Sequence, residues 1–247
     1  MSRMDTVNRK RPRSGCASNK CMAFNIGDRT YGVKHRQECG QYSRSNRQND
    51  ERGSKCQSPK APADRILSAL ENETFPLALV RCEDGQVKIE ILPYQKGMEY
   101  IAISHVWSDG LVNPLKNGLP SCQLCFVNNI VPELARHSTE QIGRPTLFRI
   151  DIIYVPLSPP EKRKVAIKRI AKTFTHASAV LVLSAELESR PISCSAEESL
   201  VRVYCSKWMT RLWTLNEDIN ASALWVQFSN GPAISGSCAI GWMRLSV

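Results

Sequence analysis

Between residues 61 and 228 the apolar positions switch repeatedly between the two periods that distinguish strands from helices. Val87 to Leu92 alternates apolar and polar and predicts a strand with one wet face. Tyr100-Ile-Ala-Ile-Ser104 and Thr146-Leu-Phe-Arg-Ile-Asp151 predict two more strands, and Ala179-Val-Leu-Val-Leu183 is a continuous apolar run of the kind buried on both faces of a parallel sheet. Leu224 to Phe228 closes the set. Helical spacing predicts helices over 63–70, 120–135, 158–174 and 196–220. Pro76 reads as a breaker and Pro132 as a kink or stop in the second helix. Ser158-Pro159-Pro160-Glu161 supplies an N-cap, a first-turn proline and a capping-box glutamate for the third.

Strands alternating with helices imply an α/β fold, a parallel sheet with helices on both faces. Ligands of such open sheets sit beyond the carboxyl ends of the strands. Ser104, the loop through Trp107, and Asp151 all fall at such ends. His105 follows Ser104 directly, and neighbouring strand residues point to opposite faces, so the two are not expected to act as a nucleophile and its base.

The chain around this pattern is uneven. Its 247 residues carry a net charge of +10, but residues 1–60 hold fourteen Lys and Arg against five Asp and Glu, and the remainder is nearly neutral. Any nucleic-acid affinity is therefore expected from the leading segment alone. That segment is poor in large aliphatics and is expected to be disordered. Met1 to Ser14 is polar and basic, which argues against a signal peptide, and no apolar run approaches the roughly 18 residues of a membrane span. An intracellular, cytoplasmic protein is expected; the basic cluster Arg9-Lys10-Arg11-Pro12-Arg13 adds the nucleus as an alternative. The chain divides into 1–60, a connecting region 61–89, a main domain 90–228 and a short tail 229–247.

Ten scattered cysteines in such a chain suggest thiols or metal ligands before disulfides. Cys16, Cys21, His35 and Cys39 offer three thiolates and an imidazole, a zinc-type ligand set that a segment without a core would use as a staple; unpaired thiols in a flexible tail are the alternative. Cys122 and Cys125 fall inside a predicted helix and read as packing residues.

At about 100° per residue, Trp208, Leu212, Leu215 and Ile219 share an arc of about 60° on the last helix. Ser206, Thr210, Trp213 and Glu217 share another of about 60°, nearly opposite. One face is core; the other joins a carboxylate, two hydroxyls and a tryptophan, either around a pocket or against solvent.

Three blocks resemble the fungal heterokaryon-incompatibility (HET) domain: Tyr100-Ile-Ala-Ile-Ser-His-Val-Trp-Ser-Asp-Gly-Leu, Ile150-Asp-x-x-x-Val-Pro156 and Arg211-Leu-Trp-Thr-Leu-Asn-Glu217. The resemblance covers roughly 90–228. It implies a TIR-like, flavodoxin-like fold and a role in fungal non-self recognition ending in regulated cell death. It also implies self-association through the domain, or contact with other incompatibility proteins. By similarity to TIR domains that cleave NAD+, Glu217 becomes the candidate catalytic residue. Ser104, Trp107, Asp151, Arg211 and Trp213 become candidate ligands for NAD, here a substrate, with no cofactor required. Loss of a cationic nicotinamide as a neutral group needs no general acid, so one carboxylate suffices. Arg149 and Tyr154 stand where that family usually has tryptophan and cysteine, and Asn216 where it has glutamine. An inactive interaction module is the alternative these departures leave open.

Overall fold

The computed structural model describes residues 33–37, 39, 56–83, 86–111, 117–138, 146–193, 195–210, 221–235 and 243–244, all within the unit Val33–Val247. Arg9 to Arg13, Cys16, Cys21, Arg211, Trp213 and Glu217 lie outside the described residues. The order of elements is α1 (Ala63–Glu71), β1 (Pro76–Glu83), β2 (Gln86–Pro93), β3 (Tyr100–His105), α2 (Ser121–Ser138), β4 (Leu147–Ile150), α3 (Asp151–Tyr154), α4 (Pro160–Lys168), α5 (Ile170–Thr175), β5 (Ala179–Leu183), α6 (Ala185–Glu188), α7 (Ala196–Tyr204), β6 (Leu224–Phe228), β7 (Gly231–Ser235) and β8 (Met243–Arg244).

The strands form one sheet in the order β2-β1-β4-β3-β5-β6-β7-β8. Its centre, β4-β3-β5-β6, is parallel, and antiparallel strands extend it on both sides. The fold is therefore the expected α/β sheet with helices on both faces. Period-2 alternation sorts the core into two layers. Ile101, Ile103, Phe148, Ile150, Leu181 and Leu183 face Ile66 and Leu70 of α1 and Leu124, Val127 and Val131 of α2. Tyr100, Ala102, Val180, Val182, Leu224 and Val226 face Phe174 of α5, Leu187 of α6, Val203 of α7 and Trp208. The register enforces this sorting: Ile101 lies beside Phe148 on one side and Ala179 on the other, and Ile103 beside Ile150 and Leu181.

Four local expectations are corrected. Pro76 does not end structure but opens β1, because a first strand residue needs no ladder N–H. The helix expected over 158–174 is two, α4 and α5, and its cap is Pro159, with no side-chain cap bond from Ser158. At the break, the Arg169 guanidinium donates to the Leu70 carbonyl (3.0 Å) and the Thr74 carbonyl (2.7 Å), satisfying backbone acceptors at the end of α1. Helix α2 continues through Pro132 to Ser138, held by Val131, Leu134 and Ala135, which are buried on either side of the proline.

The last expected helix stops at Tyr204, and residues 205–210 are turns. Ser206 and Trp208 are both buried there, so the division into a core face and an opposite face does not hold over this stretch. Strands β7 and β8 carry the sheet into the segment read from sequence as a tail. No helix among the described residues is long and apolar enough to cross a membrane.

Candidate functional site at the carboxyl ends of the parallel strands

Strand β3 ends in two polar residues that serve opposite layers. Ser104, 2% exposed, turns toward the α7 side, where its Oγ accepts the indole N–H of Trp208 at 2.7 Å. His105 turns the other way, and its Nε2 lies 2.7 Å from Asp151 Oδ1. Trp107 Nε1 donates to the other carboxylate oxygen at 3.0 Å. The His105 and Trp107 rings lie nearly parallel, 5.9 Å apart between centroids.

Asp151 is the first residue after β4, so two strand ends and the loop after β3 are tied by a single carboxylate. Burial alone would raise its pKa; the charge and hydrogen bond of His105, the charge of Arg149 and the Trp107 N–H outweigh burial and lower it to about 2. His105 is only 3% exposed, whereas the Asp151 side chain keeps 19% of its surface; the three-way contact anchors the loop that follows.

That loop, Val106 to Leu111, borders a cleft of about 640 Å³. Leu183 at the end of β5, Ala185 just beyond it, and Gln227 to Ser229 at the end of β6 form its other strand-end walls. Chain order places it at a topological switch point. The connection leaving β3 through α2 packs on one face, the connection leaving β5 through α6 and α7 packs on the other, and β3 and β5 are neighbours. Asp109 fixes the gap between them by accepting the Ala185 N–H at 2.7 Å.

The outer wall is a strap, residues 34–37. Lys34 N–H donates to the Gly110 carbonyl at 2.7 Å, and the Lys34 carbonyl accepts from Gln123 Nε2 at 3.0 Å. Arg36 lies 3.5 Å above the Phe126 ring and reaches Glu188 at 2.5 Å. Burial raises the Glu188 pKa even though Arg36 opposes the shift. The cleft thus carries both signs of charge. It also carries two buried acceptors, Gln123 Oε1 and Gln227 Oε1, that receive no hydrogen bond among the described residues.

Behind the strap, His35, Cys39, Cys56 and Cys122 converge, with one ligand atom from each lying within 4.8 Å of all the others. This set could hold a metal ion. His35 and Cys39 were expected as ligands; Cys56 and Cys122 were not, and Cys122 was read as packing. Burial raises the Cys122 thiol to about 12 and the Cys56 thiol upward, and lowers His35, so with no cation present the cluster favours uncharged groups. Cys125, one helical turn beyond Cys122, instead faces Cys82 of β1, with 3.1 Å between the sulfurs.

Comparison with known proteins adds no family. No family model, curated protein or solved structure matches the chain. Of the residues named from sequence, the structure brings Trp107 and Asp151 together, sends Ser104 to the opposite layer, and borders the cleft instead with Asp109, Arg36, Glu188, Gln123 and Gln227. Charged residues with ordinary spacing gave no signal of that role. Arg149 and Tyr154, the two departures at neighbouring positions, meet each other: the guanidinium lies 5.8 Å from the ring centroid, and both residues are buried.

Proposed function

We propose that the chain is a HET-type signalling domain of fungal non-self recognition whose switch-point cleft binds a dinucleotide, with NAD+ cleavage at Glu217 as its activity. The observation that carries the reading is the cleft itself: a site-sized opening beyond parallel strands, bordered by Lys34, Arg36, Asp109 and Glu188. NAD+ carries an anionic pyrophosphate, a cationic pyridinium, and ribose hydroxyls and a carboxamide that donate hydrogen bonds. Cations and carboxylates are the complementary set. Trp107 is held by Asp151 at the start of the bordering loop, so a shift in either would displace Asp109. Glu217, named from the resemblance, supplies the carboxylate that stabilises the developing ribosyl cation, and Arg211 and Trp213 are its proposed neighbours.

The test is nicotinamide release by concentrated full-length chain. Glu217→Ala is expected to abolish release, and Asp109→Ala to weaken NAD+ binding. Wild-type protein that binds no NAD+ by calorimetry and leaves it intact under oligomerising conditions refutes the proposal.

One observation favours a second reading, a non-catalytic module that signals by associating with its own copies. Val201 and Tyr204 of α7 sit three residues apart, 59% and 62% exposed. On that reading Val201→Ser with Tyr204→Ser abolishes self-association and cell killing, while Glu217→Ala leaves both intact.

A further inference from the structure

We infer that His35, Cys39, Cys56 and Cys122 form a tetrahedral Zn²⁺ site whose role is to hold the strap against the sheet and so build the outer wall of the cleft. The chemistry of the donor set selects the metal. Three thiols and one imidazole suit zinc, whereas calcium and magnesium take oxygen ligands.

Geometry agrees. With Zn–S of about 2.3 Å and Zn–N of about 2.05 Å at the tetrahedral angle, sulfur and nitrogen ligands of one ion stand about 3.6 Å apart. Cys122 Sγ lies 3.6 Å from His35 Nδ1. Sulfur pairs in such a site stand about 3.8 Å apart, so a set spanning at most 4.8 Å needs only small side-chain adjustments to close on an ion. The backbone already supplies an outer contact: Arg36 N–H points at Cys122 Sγ, 3.4 Å away.

The ligands come from three separate stretches, which is what a structural ion is for. His35 and Cys39 lie on the strap, Cys56 just before α1, and Cys122 in the first turn of α2. Each stretch is tied near its ligand by a backbone bond, Lys34 N–H to Gly110 and Ser121 N–H to the Gln57 carbonyl, both 2.7 Å. Residues 33–39 contribute few apolar side chains, so the Lys34 backbone bonds, the contacts of Arg36 with Glu188 and Phe126, and the ion carry the attachment. On binding, three thiols give up their protons to solvent and four protein donors fill the coordination sphere. No position remains for water or substrate, which makes the site structural and not catalytic. This inference does not depend on dinucleotide binding.

The experiment measures metal content of full-length protein purified without chelator and reconstituted with zinc alone. One zinc per chain is expected. Cys56→Ser and Cys122→Ser are each expected to weaken zinc binding by about tenfold or more. Cys82→Ser and the double variant Cys16→Ser/Cys21→Ser should keep it. A chain without zinc, or one in which the Cys16/Cys21 variant loses the ion and the Cys56 and Cys122 variants retain it, overturns the assignment.

Two further readouts cover variants that fail to fold. Cobalt(II) bound to the wild type must give the visible bands of a tetrahedral ion and charge-transfer intensity for three thiolates; an octahedral or sulfur-free spectrum overturns the site. Removing zinc must accelerate hydrogen exchange at the Lys34 and Arg36 amides. Unchanged protection there overturns the strap role even if the ion is present.

Discussion

Asp151→Asn isolates the charge at the junction of β3, β4 and the loop after β3. The carboxamide has nearly the same shape as the carboxylate. Trp107 can only donate, so the amide oxygen must face it, which turns the amide NH₂ toward His105 Nε2. The contact with Trp107 survives and the negative charge does not. In the wild type the carboxyl pKa falls from 3.8 to about 2. At 1.36 kcal/mol per unit, that drop is worth about 2 kcal/mol of folding stability. The folded-state value lies below the unfolded one, so the contribution is complete above roughly pH 5 and is lost as acid protonates the group. About half of it is left near pH 3.

The assay is urea unfolding of both proteins at a series of pH values, followed by tryptophan fluorescence. Trp208 and Trp225 are buried and Trp107 is bonded to Asp151 itself, so the signal reports on this region. The wild type is expected to be more stable than the variant by about 2 kcal/mol at neutral pH, with the gap narrowing to about 1 kcal/mol near pH 3. A gap that stays constant or widens on acidification refutes the reasoning, because it would locate the loss in shape and not in charge.

Four other substitutions test the packing and the cleft. Trp208→Ala empties a fully buried site and is expected to cost about 3–5 kcal/mol. Trp208→Phe removes the bond to Ser104 and part of the indole's volume, and is expected to cost less, about 1–3 kcal/mol; equal losses in chemical denaturation would show that the packing the phenyl ring retains is not what matters. Gly118→Ala places a Cβ 2.7 Å from the Pro59 carbonyl oxygen, which is backbone and cannot swing aside. A loss of about 1–3 kcal/mol in thermal or urea unfolding is expected. Arg36→Ala removes a half-buried ion pair and a cation–π contact. It should cost about 1–3 kcal/mol at neutral pH, less in acid where Glu188 is protonated, and should move the Glu188 carboxyl further up in an NMR titration.

Much of the sheet was legible because its strands are chemically uniform. Ala179 to Leu183 and Leu224 to Phe228 appear over the residues that their apolar runs span. Strand β1 was hidden by its leading proline, whose position in the strand cannot be known from the chain alone. The end of α7 was hidden because the apolar spacing runs on to Trp208, where the backbone has already turned. Ser104, Trp107 and Asp151 marked the carboxyl ends of the strands where the cleft opens, but none of them is among its lining residues and its walls were not legible. Arg36 and Glu188 are 152 positions apart, and a charge looks the same in a sequence whether it faces water or a partner. The cysteine cluster failed for the same reason: His35 and Cys39 are close in sequence, whereas Cys122 reaches them only because α2 starts where the strap passes.

The divergent ends of β3 have a consequence for how this sheet finds its alignment. Ile101, Ala102 and Ile103 would fit either layer, so grease alone hardly distinguishes the native pairing from one shifted by a single residue. Ser104 and His105 do distinguish it. A one-residue slip would send the imidazole toward the Trp208 indole and the hydroxyl toward Asp151, breaking both bonds at once. Two adjacent polar side chains thus act as a key with teeth on opposite edges, turning only in the correct lock.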